Sequence, residues 1–137
     1  YRLAFELTET AIMADASAGL SRLSRIASAG IAIHIDDFGT GYSSLSYLQR
    51  LPASTIKIDR QFIRNMTRDP AMRAIVKTII ALGKSLDVTI TAEGVETPEQ
   101  AQMLRKFGCS QVQGFLYGHP EAAENRRIEI LLREASL

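Results

Sequence analysis

Short apolar segments alternate with helical patterns along this chain of 137 residues, and this alternation limits its possible folds more than any other feature. Four of the segments are apolar runs that end in acidic residues, and a fifth, weaker segment ends in polar ones. They lie at residues 3–9, 32–37, 55–59, 88–96 and 112–114. Because a helical pattern follows each segment, the order predicts an α/β fold of five parallel strand-helix units joined by crossovers.

The helical patterns differ in clarity. The clearest begins at Asp69 and Pro70, a cap followed by a first-turn proline, and keeps apolar residues at three-four spacing to Leu86. Further helices are predicted at residues 16–29, 42–50, 97–107 and 122–134.

Acidic and polar residues recur where the predicted strands end. In parallel α/β folds, functional residues gather beyond the carboxyl ends of the strands, and in a closed eight-unit barrel these ends form one face. The residues at these positions are Glu6, Asp36, Asp37, Lys57, Asp59, Glu93 and Gln113. They could therefore share one pocket although they are distant in sequence, whereas an explanation by solvated loops treats each position as a coincidence.

The adjacent Asp36 and Asp37 lie where an apolar strand gives way to a loop that contains Gly39 and Gly41. Paired carboxylates cost free energy through desolvation and mutual repulsion unless a cation or solvent compensates them. The glycines permit a sharp turn beside the acids. Taken alone, this segment fits a metal site about as well as a solvated turn in which Asp37 caps a helix. The acids at the other strand ends favour the metal site.

Five segments of the chain resemble the EAL domain family, bacterial phosphodiesterases that open cyclic di-GMP to the linear dinucleotide 5′-pGpG. The segments are Glu6-Leu7-Thr8-Glu9-Thr10, the ten residues from Asp36 to Leu45, Lys57-Ile58-Asp59-Arg60, the six residues from Ala92 to Thr97, and Gln113-Gly114-Phe115. They follow the order of the family's last five strand ends. The resemblance implies a partial (β/α)8 TIM-type barrel.

The resemblance also implies which part of the barrel is present. A complete barrel takes about 250 residues, so residues 1–137 are expected to be the C-terminal portion of one EAL-type domain. In the family, the Glu-Ala-Leu motif and an asparagine on the next strand supply metal ligands. Both features are absent from residues 1–137. Residues 1–137 alone are therefore expected to hydrolyse cyclic di-GMP far more slowly than an intact domain.

By the same resemblance, two divalent cations, Mg²⁺ or Mn²⁺, would bind at the strand ends, where oxygen ligands suit such hard ions. Glu6 and Asp36 would help to hold the first cation, Asp36 would bridge, and Asp37 with Glu93 would hold the second. Lys57 would orient the nucleophilic water or stabilise developing charge. Glu93 has the alternative role of a proton acceptor, but the ligand role is favoured because metal-bound water is already acidified.

Other residues would support the site or contact the substrate. Asp59 and Gln113 are expected to contact the nucleotide, and Glu9 and Glu96 are expected to support the loop Gly39-Thr40-Gly41. In the family this loop contributes to metal binding and to dimer contacts. For Glu9, Glu96 and Gln113, an exposed turn or helix-start position is the simpler alternative.

The resemblance implies cyclic di-GMP as the partner, a homodimer, and sensory or GGDEF-type domains on the N-terminal side of a larger protein. There are two alternatives to a phosphodiesterase. One is a receptor that binds the nucleotide without cleaving it, and the other is a module that dimerises through the glycine loop. A net charge of +1 with intermixed signs gives no basic surface for duplex nucleic acid. The lone Cys109 and the lack of a run of about 20 apolar residues fit a cytoplasmic domain.

Two expectations concern packing. His34 lies between Ile33 and Ile35 and is expected to face the helical layer.

Five strands taken from an eight-stranded barrel are expected to leave two unpaired edges and an uncovered apolar inner face. Residues 1–137 alone are therefore expected to associate rather than to remain a stable monomer.

Overall fold

A computed structural model describes residues 3–13, 16–41 and 45–119, which form one parallel β-sheet with helices packed on one face. The strands are β1 (Ala4–Thr8), β2 (Ala32–Phe38), β3 (Thr55–Ile58), β4 (Thr89–Glu93) and β5 (Gln111–Gln113). Their order in the sheet is their order in the chain, and every neighbouring pair is parallel. The predicted α/β class and the five strands are confirmed.

Helices connect the strands. They are α1 (Glu9–Met13), α2 (Ala16–Ser28), α3 (Leu45–Leu48), α4 (Arg60–Asn65), α5 (Pro70–Ser85) and α6 (Pro98–Phe107). The sequence predicted α2, α5 and α6, and α3 lies within the helix predicted at residues 42–50. It did not predict α1 and α4, which directly follow β1 and β3. The helix predicted at 122–134 lies outside the described residues.

Polar side chains fix the starts of the two clearest helices. Asp69 Oδ1 accepts hydrogen bonds from the backbone of Ala71 (2.8 Å) and Met72 (3.4 Å) at the start of α5. At the start of α6, Thr97 and Gln100 form a reciprocal capping box. Since these caps occupy otherwise unpaired backbone groups, they determine where each helix begins.

Gln100 also ties α6 to the rest of the fold. Its buried Oε1 accepts hydrogen bonds from the backbone N–H groups of Glu96 (2.8 Å) and Thr97 (3.0 Å). Its Nε2 donates to the carbonyl of Ile63 on α4 (3.4 Å). One buried amide therefore holds the segment that follows β4 against a neighbouring helix.

The two faces of the sheet differ in character. The helix-covered face carries nearly fully buried apolar residues: Ile33, Ile35, Phe38, Ile56, Ile58, Ile90 and Ala92. The opposite face carries the alternate residues, among them Glu6, His34, Asp36, Thr55, Lys57, Thr89, Thr91, Glu93, Gln111 and Gln113. The expected apolar inner face is therefore wrong for the described strands: because side chains alternate along a strand, burying one apolar row leaves the polar row opposite.

The described helices differ in length and apolar character, and both properties bear on membrane insertion. Within the described part of the chain, none combines the length and apolar character needed to cross a bilayer.

Candidate functional site

A β-bulge places the paired aspartates at the centre of the site. Between consecutive paired positions of β2 and β3, Asp36 and Asp37 together stand opposite the single residue Lys57. Asp37 adopts a left-handed backbone conformation, with φ 53°, and Phe38 then returns to the register opposite Ile58. The bulge therefore brings two adjacent carboxylates to the end of one strand without disturbing the apolar row.

Three carboxylates from three different strands surround the ammonium group of Lys57. Its Nζ lies 2.7 Å from Glu93 Oε1 on β4. The same atom lies 3.4 Å from Glu6 Oε1 on β1 and 3.5 Å from Asp36 Oδ1 on β2. Only 12% of the lysine side chain is exposed. The structure thus brings together four residues that the sequence placed at separate strand ends.

The surroundings of Lys57 stabilise its charged form. Burial lowers the pKa of the ammonium group, but the hydrogen bond to Glu93 and the charges of Glu93, Asp36 and Glu6 outweigh this effect. The pKa of Lys57 therefore lies well above its ordinary value. The ammonium group stays protonated at neutral pH and can act as a hydrogen-bond donor but not as a base.

Asp37 and Asp59 form a second acidic pair beside this cluster. Desolvation, the charge of Asp36 and a hydrogen bond with Asp59 raise the pKa of Asp37. Asp59 lies one residue beyond β3, where its Oδ1 accepts a hydrogen bond from the backbone of Gln61 (2.7 Å) and caps α4. Two carboxylates this close favour the uptake of a proton or a cation.

Within residues 3–13, 16–41 and 45–119, no three acidic, histidine or cysteine side chains are arranged to hold a metal ion. Three of the carboxylates converge on the Lys57 ammonium instead. The oxygen donors nevertheless suit hard cations such as Mg²⁺ and Mn²⁺ in their chemistry. Three carboxylates surround one lysine, so the site carries a formal excess of negative charge that a cation would offset.

Glu9 holds the loop that follows the paired aspartates. It is 3% exposed, and its Oε2 accepts hydrogen bonds from the backbone N–H groups of Gly39 (2.9 Å) and Gly41 (3.2 Å). The Thr40 hydroxyl donates to the carbonyl of Asp37 (2.8 Å). A Cβ at Gly39 would lie 2.9 Å from the ring of Phe62, so glycine is required by close approach and by its φ of 99°.

Gln113 lies beside the lysine cluster, but the structure does not bring Glu96 into it. Gln113 pairs in register with Glu93, and its exposed side chain shares the polar face. Glu96 is exposed, and its backbone rather than its side chain is held, by Gln100. Among the described residues, the contacts of Gly39-Thr40-Gly41 are made by Glu9 and Asp37, and the contact expected of Glu96 stays a prediction.

The prediction that His34 faces the helical layer is wrong. Its Nδ1 lies 3.7 Å from Glu6 Oε1, on the face opposite the helices. The flanking Ile33 and Ile35 are each 1% exposed and occupy the helical side. The same alternation that was noted in the sequence, applied strictly, would have placed His34 with the carboxylates.

Comparison with known proteins connects this geometry to a family. The EAL domain model matches residues 1–120. The bifunctional diguanylate cyclase/cyclic di-GMP phosphodiesterase MucR of Pseudomonas aeruginosa is 52% identical over 122 residues, which are 89% of this chain and 18% of that protein.

Two solved structures share the fold. The cyclic di-GMP complex of the MucR phosphodiesterase superposes with a TM-score of 0.86 at 52% identity, over 89% of this chain and 49% of that one. A manganese and cyclic di-GMP complex of BlrP1 from Klebsiella pneumoniae gives 0.78 at 36% identity, over 85% and 30% of the two chains. The chain spans less than half of each, and its five parallel units match part of a TIM-type barrel.

Proposed function

This chain belongs to the EAL domain family, and from that membership we propose that the intact domain hydrolyses cyclic di-GMP to linear 5′-pGpG with two divalent cations, Mg²⁺ or Mn²⁺. The observation that carries the proposal is the convergence of Glu6, Asp36 and Glu93 on one cationic group, Lys57 Nζ, within 3.5 Å. The similarity to a named cyclic di-GMP phosphodiesterase supports the same substrate.

The carboxylates of the cluster would hold the cations. Glu6 and Asp36 would bind the first, with Asp36 as a bridge, and Asp37 with Glu93 would bind the second. When bound, such a pair supplies an acidified water and neutralises charge on phosphoryl oxygens.

The other residues of the site would orient the substrate and the attacking water. Lys57 stays charged because its pKa is raised, so it would donate a hydrogen bond to the water or to a phosphoryl oxygen. Glu93 holds this ammonium at 2.7 Å and thereby fixes its direction. Asp59 and Gln113 lie at the adjacent strand ends and would contact the nucleotide.

We also propose a wider context for this domain. Residues 1–137 would form the C-terminal portion of a single barrel domain, in a cytoplasmic homodimer whose contacts include the glycine loop. The bifunctional cyclase and phosphodiesterase MucR is consistent with additional sensory or GGDEF-type domains in the same protein.

The proposal is tested by incubating the full-length protein with cyclic di-GMP and Mn²⁺, and separating the products by chromatography. We expect linear 5′-pGpG, and we expect its formation to stop when a chelator removes the metal. Asp36→Asn, Asp37→Asn and Glu93→Gln, which are nearly isosteric, should each lower turnover by orders of magnitude.

Two results would revise the proposal. Tight nucleotide binding without any linear product would indicate a receptor instead of an enzyme. Near-normal turnover of an acid variant under limiting metal would remove that residue from the metal ligands.

A further inference from the structure

We propose that His34 is a positioning residue for Glu6, which it holds in place for cation binding. The inference rests on the proposed function, because it assigns the first-cation role to Glu6. The two residues are direct neighbours in the register of β1 and β2 and lie on the same face of the sheet. Paired strands lie about 4.7–4.9 Å apart, so side chains that are opposite in register are neighbours.

One oxygen of Glu6 lies between two nitrogen donors. Glu6 Oε1 is 3.7 Å from His34 Nδ1 and 3.4 Å from Lys57 Nζ. The distance to His34 is that of a close polar contact and is longer than a hydrogen bond. The same carboxylate oxygen therefore has close polar neighbours on both β2 and β3.

Glu6 needs such support more than the other carboxylates of the cluster. Its side chain is 53% exposed, whereas those of Asp36 and Glu93 are 26% and 23% exposed. A flexible, exposed glutamate loses rotamer entropy when it binds a cation. His34, itself 27% exposed, would restrict Glu6 before binding and so reduce this cost.

The imidazole can hold Glu6 without a change in its own charge. A neutral histidine with its proton on Nδ1 donates a hydrogen bond, and so does the protonated form. Groups that orient metal-binding carboxylates typically change metal affinity by about 10- to 100-fold when they are removed.

The test compares His34→Leu, which removes the donor, with His34→Gln, whose amide can still donate to Glu6. Thr89→Val is the matched control, since Thr89 lies on the same face two strands away. Calorimetry of the full-length protein without nucleotide should show Mn²⁺ affinity weakened about 10- to 100-fold in His34→Leu. His34→Gln should retain most of the affinity, and Thr89→Val all of it.

Two further measurements test the role of His34: the kcat of the variant and the NMR signals of the imidazole. At saturating Mn²⁺ the kcat of His34→Leu should approach that of the wild type, because the variant changes cation binding and not the chemical step. In the wild-type protein, Mg²⁺ should shift the imidazole NMR signals of His34, assigned by their loss in His34→Gln, and leave those of His119 in place. An unmoved His34 signal would count against the inference even if His34→Leu does not fold.

Wild-type Mn²⁺ affinity in His34→Leu would overturn the inference, as would equal weakening in the glutamine and leucine variants or an unmoved His34 signal. In each case, hydrolysis of cyclic di-GMP by the wild-type protein would leave the proposed function in place. Absence of both hydrolysis and nucleotide binding in the wild type would instead count against the proposed function.

Discussion

Lys57 places one positive charge among three carboxylates. Because its ammonium group offsets their mutual repulsion, Lys57→Met should lower the free energy of unfolding of the metal-free protein by about 2 kcal/mol. A divalent cation can replace the lost charge, so Mn²⁺ should raise the melting temperature of Lys57→Met more than that of the wild type. Thermal unfolding in chelator and in Mn²⁺ measures both effects.

The exposed Lys77 on α5 provides the control for this prediction, and Lys77→Met should respond to Mn²⁺ as the wild type does. Equal responses of Lys57→Met and the wild type would show that the carboxylates do not need a cation for stability.

The carboxylate of Glu9 makes two hydrogen bonds to the glycine loop, and both are charge-assisted. Glu9→Ala should therefore cost about 2–3 kcal/mol of unfolding free energy, since it leaves the N–H groups of Gly39 and Gly41 without this acceptor. Urea denaturation measures the loss. Glu99→Gln, at an exposed position of α6, should change stability by about 0.5 kcal/mol. Similar losses in the two variants would contradict this role of Glu9.

At the scale of elements, the sequence predicted a helix well where regular apolar spacing coincided with a capping residue. The three-four spacing of α5 and its Asp69 cap gave that helix almost residue for residue. The short helix α4 was missed because six residues give little periodicity, although Asp59 followed by Phe62 and Ile63 was an available signal. The bulge in β2 could not be predicted, because it depends on the register between two strands.

The turn after β5 depends on a glycine that packs against another segment. A Cβ at Gly114 would clash with the backbone of Val95, whose N–H donates a hydrogen bond to the carbonyl of Gln113 (3.0 Å). Gly114→Ala should therefore displace the turn and lower the unfolding free energy by about 1–3 kcal/mol. It should also weaken nucleotide binding if Gln113 contacts the substrate.

Gly19→Ala is a control of opposite sign. Gly19 lies inside α2, and among the described residues a Cβ there would meet only the Tyr47 hydroxyl, at 3.7 Å. Because alanine is a better helix former, Gly19→Ala should raise stability by about 0.5–1 kcal/mol. Denaturant titration of both variants gives the comparison, and a neutral Gly114→Ala would show that the turn adjusts freely.

At the scale of the whole molecule, the edges of the sheet matter more than its open face. The open face is polar, but the outer edges of β1 and β5 pair with no strand among the described residues. Leu3 and Phe5 beside the β1 edge are 64% and 44% exposed. Unpaired edges next to apolar side chains favour pairing with another chain.

Residues 1–137 expressed alone should consequently associate at micromolar concentration, and Phe5→Lys should weaken that association. Light scattering measures the mass of both proteins. A compact monomer with cooperative unfolding would show that the two edges are stable without a partner.

The bulge in β2 adds one residue to the strand and thereby shifts the alternation of buried and exposed side chains. Before it the buried side chains are those of Ile33 and Ile35, and after it the buried one is Phe38, so the even-odd phase changes at the aspartates. Deletion of Asp37 alone would restore one uninterrupted phase, with Phe38 still opposite Ile58 and the glycine loop still following it. The domain should then keep its fold and lose one carboxylate, so the loss of a single codon would remove a proposed cation ligand without unfolding the sheet.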